Sequence, residues 1–422
     1  MKKIEKISEH NKALIFNAPP SKAHTLRAII LGALADGTSK IYNPLLGEDQ
    51  IALLDCLEKL GVQIIKGDQC LIITGNRGRF KPQNLTLFAN ESGVCMNFLI
   101  SLTSLCQEPI LLTGKPGLLK RPVTYLTDAL EQLGCKFEYL KSKGYPPISV
   151  ISDKIHGGYT ELRGDKTSQY FSSIAIFAPF AEKDVTIQCL GDMVEKPYFD
   201  ITSEMMRKFG VDIINEDYKT IKISNEIQYK STNINIEGDY SSASYFFIGA
   251  AIAKRKIIVT GLYRNSFQGD KYILDILEKM GCIITYNCND ITMEGCDLKP
   301  IQVDMSDIPD LVPGVAILAA NATGKSILQN VGHLKFKECD RIDAIITGLQ
   351  LMGIKAVFEN NNLVIEGSKQ IHGSVIDSFN DHRIAMSFGI AGLVTGNQII
   401  KDEGCVSKSF PNFWEEMELF YR

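Results

Sequence analysis

The chain has 422 residues, 45% apolar and 22% charged, the balance of a water-soluble globular protein and too long for one core, so two or three domains are expected. A formal net charge of −4 argues against general binding to nucleic acid or membrane, so any basic site has to be local. The longest apolar stretches, such as residues 174–181, fall well short of a membrane span, and the basic start Met1 to Ile7 leads into no apolar signal core.

In chain order, Ala18-Pro19-Pro20 reads as a rigid extended entry that could serve as a hinge. It leads into a helix expected over Ser21 to Gly37, with Leu26, Ile29, Ile30 and Ala33 on one face and Gly37 as its stop. An amphipathic helix closed by a glycine then recurs five times, over residues 53–62, 126–136, 201–211, 273–283 and 345–355. The stops are Gly61, Gly134, Gly210, Gly281 and Gly353, spaced 73, 76, 71 and 72 residues apart. A β-rich stretch follows each, such as Val62-Gln63-Ile64-Ile65, so the chain reads as an array of similar βα modules. A polar turn at Ile236 to Ser242 opens a second apolar helix (Ala243 to Ala253), giving a second crossing between lobes. One lobe is therefore expected over residues 20–236, and the other over 1–19 with 237–422. A sixth, degraded unit is expected to end in a helix from Arg383 to Leu393.

Residues 319–326 (AANATGKS) end like a phosphate-binding P-loop, but Ala319 stands where that motif needs glycine. Asn321-Ala322-Thr323-Gly324 reads instead as a helix stop before a strand. No GxGxxG opens a helix after a strand, so dinucleotide binding has no support. Eleven cysteines show no CxxC and no Cys/His metal spacing. Reduced core thiols in a cytoplasmic protein without a metal site are expected.

Four of the five repeat helices begin just after positive charge: Lys120-Arg121-Pro122, Lys196-Pro197-Tyr198, Arg264 to Lys271, and Lys335 with Lys337 and Arg341. The first, preceded by Glu48-Asp49, is the exception. A helix start carries a partial positive charge and ordinarily favours Asp or Glu. Cations are tolerated there best when an anion binds, because free N–H groups and Lys or Arg then act together. Repetition in four units points to an anion-binding surface rather than to ordinary surface lysines.

Six basic positions stand in unusual settings. Lys22 and Arg27 bracket the first turn of the helix opened by Ser21; Arg121 precedes a proline; Arg341 lies in Lys337 to Arg341; Arg383 follows Asn380-Asp381-His382; and Lys408 lies in Ser407 to Pro411. Asp310 precedes an apolar helix, where a cap is the plain local reading. Glu338, between Lys337 and Arg341, could simply form helix-surface ion pairs. In a cleft of cations, either carboxylate would stay ionised and could act as a general base. His382 fits a capping turn equally well.

These segments resemble, in order and over essentially the whole chain, the 5-enolpyruvylshikimate-3-phosphate synthase family of enolpyruvyl transferases. The resemblance is carried by Ser21-Lys22 with Arg27, Lys120-Arg121-Pro122, Ser168-Gln169, Lys196-Pro197-Tyr198, Glu237-Gly238-Asp239 and the following Ser241 to Tyr245. It continues through Arg264-Asn265-Ser266, Gln268-Gly269-Asp270, Ile308-Pro309-Asp310, Lys337-Glu338, Asp340-Arg341, Asn380 to Arg383, and Lys408 with Phe410-Pro411. It implies an α/β fold of two lobes, each with three βαβαββ repeats, closing over substrate. It further implies transfer of the enolpyruvyl group of phosphoenolpyruvate to the 5-hydroxyl of shikimate 3-phosphate on the route to chorismate, with no cofactor, in a monomer acting on small molecules alone. By position, Lys22, Gly93, Arg121, Gln169, Arg341, Arg383 and Lys408 would hold phosphoenolpyruvate. Lys22, Arg27, Thr167, Ser168, Gln169, Tyr198, Asp310, His333 and Lys337 would hold shikimate 3-phosphate. Asp310 and Glu338 would handle protons, assisted by Lys22, His382 and Lys408.

Departures from the family pattern fall inside that implied site. Ala23 stands where a serine is usual, Glu91 and Asn97 alter the segment that ordinarily carries an arginine near phosphoenolpyruvate, and Glu195 replaces a phosphate-binding serine. A lost charged hydrogen bond costs about 1.5–3 kcal/mol, so weaker anion binding and altered response to the inhibitor glyphosate are expected. A related activity on UDP-N-acetylglucosamine is disfavoured, because the stretch Gly114 to Pro122 has no catalytic cysteine and is short. A paralogue or non-catalytic binder of a phosphorylated hydroxy acid is the alternative.

Overall fold

The computed structural model describes residues 1–8, 12–152, 154–287 and 290–422. They form two compact units, Pro20–Ile236 and Met1–Pro19 with Glu237–Arg422. Among the described residues there are six small sheets, three in each unit. Five of them repeat one plan. A strand pairs in parallel with a second, which pairs antiparallel with a third, which pairs antiparallel with a fourth. In one case Gly158–Arg163 lies parallel to Val185–Leu190 with Gly158 opposite Val185; Thr220–Ile223 and then Ile214–Glu216 follow antiparallel. The sixth sheet is shorter: Val375–Ile376 lies parallel to Gln398–Ile400, which takes Lys2–Ile4 antiparallel on its other edge.

Consecutive parallel strands need a helical crossover; in each of the five modules an inner helix leads into the second strand, and a second helix follows outside it. The outer helices are the amphipathic ones: Glu48–Lys59, Thr124–Gln132, Lys196–Lys208, Ile273–Lys279 and Arg341–Leu351. Each ends at the expected glycine, and all five have positive φ, from 82° at Gly353 to 109° at Gly281. That left-handed conformation ends a helix and turns the chain into the next strand.

The inner helices are Lys22–Leu34, Gly93–Thr103 and Ser168–Phe177 in one unit, and Tyr240–Ile252, Val312–Asn321 and His382–Thr395 in the other. They are apolar all round because they are enclosed all round. Every residue of Tyr240–Ile252 is buried, and in Ser168–Phe177 only Gln169 is not. In the unit Pro20–Ile236, the unburied residues of these helices are Lys22 and Ala23, Gly93 and Val94, and Gln169, all in first turns.

The first helix corrects one expectation. It stops at Leu34 with Ala35 in extended conformation, and Gly37 lies inside the strand Asp36–Tyr42. Two strands explain how each unit is assembled from the chain. Leu14–Asn17 pairs in parallel with Lys256–Thr260, and Asn233–Asn235 with Asp36–Tyr42. Each strand thus completes a sheet of its own unit, although the next helix in sequence belongs to the other unit. The Asp239 N–H donates to the Pro19 carbonyl at 2.7 Å, so the two crossings run side by side.

Ten cysteines are free thiols, including buried Cys135 and Cys282 at helix-to-strand joints; Cys288 lies outside the described residues. Asn321 ends an inner helix and Gly324 begins a strand, as expected. Among the described residues, no helix is long and apolar enough to cross a membrane.

At Gly61 (φ +86°), an added Cβ would lie 2.6 Å from the Lys81 carbonyl oxygen. Gly61→Ala combines that clash with left-handed strain of about 1–3 kcal/mol. It is expected to lower the urea midpoint of unfolding while leaving affinity for anionic ligands unchanged, as checked by denaturation and calorimetry.

Candidate active site

The sequence-flagged residues form a cluster in each unit. In Pro20–Ile236 they gather at inner-helix starts. Ser21 caps Lys22–Leu34, accepting from the His24 N–H. Lys22 Nζ lies 2.9 Å from Asp49 Oδ2, and buried Asp49 stands in the first turn of Glu48–Lys59. The acidic helix start that broke the basic pattern is therefore the partner of Lys22. Cys95 Sγ also meets the Asp49 carbonyl, at 3.1 Å, so the Gly93–Thr103 start lies beside it. Asn97 Nδ2 donates to Gln169 Oε1 at 3.0 Å. The Arg121 guanidinium lies over Gly93, where a Cβ would come 3.1 Å from Nη1.

Arg27 is buried and donates from Nε to Thr202 Oγ1 (2.7 Å), from Nη1 to the Ala23 carbonyl (3.0 Å) and from Nη2 to the Tyr198 carbonyl (2.8 Å). It thereby ties Lys22–Leu34 to Lys196–Lys208. Burial pulls its pKa down to about 10, against the influence of Tyr198, which leaves it charged at neutral pH. Thr167 caps the start of Ser168–Phe177 and donates its hydroxyl to Glu195 Oε2 at 2.6 Å. The Ser168 hydroxyl donates to the Glu195 carbonyl at 2.9 Å. Glu195 is buried and left-handed (φ 59°), at the start of Lys196–Lys208. Its own carboxylate thus engages Thr167, one of the hydroxyls the sequence assigns to an anion.

The other unit holds a denser network. Arg341, only 1% exposed, donates from Nη1 to Asp310 Oδ1 (2.8 Å), from Nη2 to Glu338 Oε2 (2.9 Å) and from Nε to Asp381 Oδ2 (2.7 Å). Arg383 Nη2 donates to Asp310 Oδ2 at 2.8 Å, and Lys408 Nζ to Glu338 Oε1 at 2.7 Å. Asp381 also caps the helix His382–Thr395, accepting from the Arg383 N–H at 2.8 Å. Three cations and three carboxylates alternate, so their formal charges cancel. Such pairing is what makes a buried guanidinium tolerable.

Asp310 is not the helix cap that local sequence suggested. It lies in the 3-10 turn Pro309–Leu311, and the following helix has no side-chain cap bond. Its carboxylate bridges two arginines instead. Burial opposes its ionisation, but Arg383, Arg341 and Lys337 outweigh it and hold Asp310 well below the usual carboxylate range. Arg341, despite burial, is held well above its ordinary value by Asp381, Glu338 and Asp310. Nor is Glu338 in surface pairs, since both its partners are buried. His382 begins its helix buried, with Nδ1 3.9 Å from Asp381 Oδ1. Lys337 ends, and the half-buried His333 lies within, the short 3-10 helix Gly332–Phe336.

Sequence reasoning did not single out Asp49 or Asp381 as site groups. Asp381 was readable as a cap, but its second role depends on Arg341, 40 residues away. Among the described residues, no group of three or more His, Cys, Asp or Glu side chains is arranged to hold a metal ion. Chemically, the network offers fixed cations for phosphate and carboxylate groups, ionised carboxylates for proton abstraction, and an ammonium group in contact with one of them.

Residues 5–417 match the model of the family described as EPSP synthase (3-phosphoshikimate 1-carboxyvinyltransferase). A 3-phosphoshikimate 1-carboxyvinyltransferase of Methanoculleus marisnigri is 38% identical over 406 residues, covering 95% of each chain. One from Mannheimia haemolytica is 37% identical over 414 residues, again covering 95% of each. Among solved structures, an EPSP synthase from Acinetobacter baumannii superposes with a TM-score of 0.82 at 29% identity, covering 99% of this chain and 98% of that one.

Two outcomes follow from the Arg341 network. Asp381→Ala strands part of a buried guanidinium and is expected to cost about 3–5 kcal/mol in urea unfolding. Asp310 has its folded pKa below its unfolded value, so the stability it contributes is present above the ordinary carboxylate range and lost on acidification. Asp310→Asn should therefore melt below the wild type at about pH 7, with the difference shrinking as the pH falls below the ordinary carboxylate range.

Proposed function

The chain belongs to the EPSP synthase family, and from that premise we propose that it transfers the enolpyruvyl group of phosphoenolpyruvate to the 5-hydroxyl of shikimate 3-phosphate, releasing phosphate. The observation that carries this reading is the Arg341 network, in which Asp310 and Glu338 are paired with Arg341, Arg383 and Lys408. The substrates bring two phosphates and two carboxylates. Arginine suits their forked contacts, and lysine suits a point charge or a proton donor.

In the addition step the 5-hydroxyl oxygen bonds to the central carbon of phosphoenolpyruvate, and the methylene carbon takes up a proton. In the elimination step the new methyl group gives a proton back as the carbon–oxygen bond to phosphate breaks. Asp310 is assigned the hydroxyl proton. Glu338, assisted by Lys22, His382 and Lys408, is assigned the proton exchanged at the methylene carbon. Arg341, Arg383, Lys408, Arg121 and Lys22, with Gly93 and Gln169, would hold phosphoenolpyruvate and offset charge on the departing phosphate. Lys22, Arg27, Thr167, Ser168, Gln169 and Tyr198, with Asp310, His333 and Lys337, would hold shikimate 3-phosphate. We read the protein as a cytoplasmic monomer acting on small molecules and not on nucleic acid, in keeping with its net charge of −4 and free thiols.

One observation favours a second reading. Glu195 engages Thr167 at 2.6 Å, as expected of a binder with a modified phosphate pocket and lost turnover. Phosphate release with both substrates separates the two. On the synthase reading, Asp310→Ala and Glu338→Ala each lower the rate about tenfold or more. Calorimetric binding of shikimate 3-phosphate with no turnover on adding phosphoenolpyruvate would establish the binder instead. With Asn97 held by Gln169, glyphosate is expected to inhibit more weakly than it does a standard sensitive enzyme. Equal potency would overturn that expectation.

A further inference from the structure

The five modules close their outer helices in one way, and a single one of them adds a pair of thiols. The carbonyl before each stop glycine accepts a backbone N–H from the segment after the antiparallel hairpin. Leu60 accepts from Lys81, Leu133 from His156, Phe209 from Lys230, Met280 from Lys299 and Met352 from His372. In four modules that donor residue, Lys81, His156, Lys230 or His372, itself covers the glycine. At Gly281 the lysine stands off, with Lys299 Cε 3.9 Å from where a Cβ would lie. Cys296 Sγ comes closer, to 3.2 Å.

Cys296 meets a second thiol there. Its Sγ lies 3.8 Å from Cys282 Sγ and 3.8 Å from the Met280 carbonyl oxygen. Cys282 follows Gly281 directly and is 5% exposed, whereas Cys296 is half-buried. The position after the glycine is a core site in every module, held by Val62, Cys135, Val211, Cys282 and Ile354. Cys135 there faces the hydroxyls of Ser104 and Ser152. Packing thus accounts for a small apolar residue at 282, but not for a second thiol brought against it. The two thiols stand at the open end of the hairpin formed by Ile283–Asn287 and Asp290–Glu294, whose last ladder pair is Ile283 opposite Glu294. Asp290–Glu294 pairs in turn with Lys256–Thr260, and that strand with Leu14–Asn17.

We propose that Cys282 and Cys296 are a reversible, peroxide-responsive dithiol that closes into a disulfide across the open end of this hairpin. Half-buried Cys296 meets the oxidant first. Its sulfur takes one oxygen atom from hydrogen peroxide, giving a sulfenic acid and releasing water. The Cys282 sulfur then attacks the Cys296 sulfur. The S–S bond forms as the S–O bond breaks, and the oxygen leaves as a second water with the Cys282 thiol proton. Each thiol has lost one electron, and the peroxide has gained both. From 3.8 Å the sulfurs have less than about 2 Å to travel to bonding distance. The closed loop contains the whole hairpin, so the link removes freedom from the unfolded chain. A small reducing thiol restores both cysteines by exchange. The pair takes no part in the enolpyruvyl transfer proposed above, and the inference does not depend on it.

The test is peptide mapping of the full-length protein after a few equivalents of hydrogen peroxide, with the remaining thiols blocked. Cleavage after glutamate cuts at Glu294 and leaves Cys282 and Cys296 on separate peptides. The expected product is a linked pair of peptides, lighter by two hydrogens and separated by dithiothreitol. It should form in the wild type and equally in Cys288→Ser, which removes the cysteine between the two in sequence. The linked wild type should melt about 4 °C or more above the reduced protein, and Cys296→Ser should show no such rise. Cys296 carried on to a sulfinic or sulfonic acid without a link, or a link lost in Cys288→Ser, would overturn the proposal. So would a linked protein that melts no higher than the reduced one. Should Cys288→Ser fail to fold, fragmentation of the wild-type peptides decides: a link on Cys282 supports the proposal, and one on Cys288 overturns it.

Discussion

A guanidinium with 1% of its surface exposed constrains everything around it. An unpaired charge at that depth would cost several kcal/mol, so Arg341 can stay only where carboxylates come to it. Three do, from Asp310, Glu338 and Asp381. They arrive from the approach to Val312–Asn321, the segment before Arg341–Leu351 and the cap of His382–Thr395. One buried cation therefore fixes three helix starts at once. The balance of charge has a chemical consequence as well. An arriving phosphate or carboxylate adds negative charge to a neutral cluster, and this raises the proton affinity of Asp310 and Glu338. Binding and proton uptake are consequently linked in one network.

The unit Pro20–Ile236 uses the same physical device on a smaller scale. Asp49 holds Lys22, and Glu195 holds the Thr167 hydroxyl. In both places an internal carboxylate engages a donor at a helix start, where the free N–H groups and the dipole favour negative charge. On the proposed function, a ligand anion competes with such a group. Affinity therefore reflects a difference between two anions, not the sum of new contacts. Glu195 is the more demanding competitor, because it is buried and its backbone is already held in a left-handed conformation.

What was legible in the sequence divides along physical lines. The outer helices bury one face, so their periodicity and glycine stops appear directly, down to the positive φ at Gly61, Gly134, Gly210, Gly281 and Gly353. The inner helices bury every face and carry no such period, which is why Gly93–Thr103 and Ser168–Phe177 are not distinguishable as helices on pattern alone. Gly37 misled because a strand with a glycine of φ 98° and a helix stop look alike over three residues. Asp310 misled for a different reason. An aspartate before an apolar helix is ordinarily a cap, and its arginine partners lie 31 and 73 residues away. The basic and acidic residues were visible one by one. Their pairing required coordinates.

The repeat and the chemistry are connected through that same enclosure. A helix buried on all sides has room for a charged side chain along its length only where every donor is satisfied, as Arg27 is, and otherwise only where the helix begins. Polar residues are thus driven into the first turn, as Lys22, Gln169, Ser241 and Arg383 are. Each unit packs three such helices. In the unit with Glu237–Arg422, Arg383 and Asp310 join two of the starts, and Ser241 at the third holds Asp270. Repeating one module therefore multiplies a single apolar core and, with it, the number of N-terminal turns that can carry charge. A fold selected to bury inner helices would collect donors, cations and their carboxylate counterions at one end of those helices. Any chemistry on multiply charged anions then starts from that inventory.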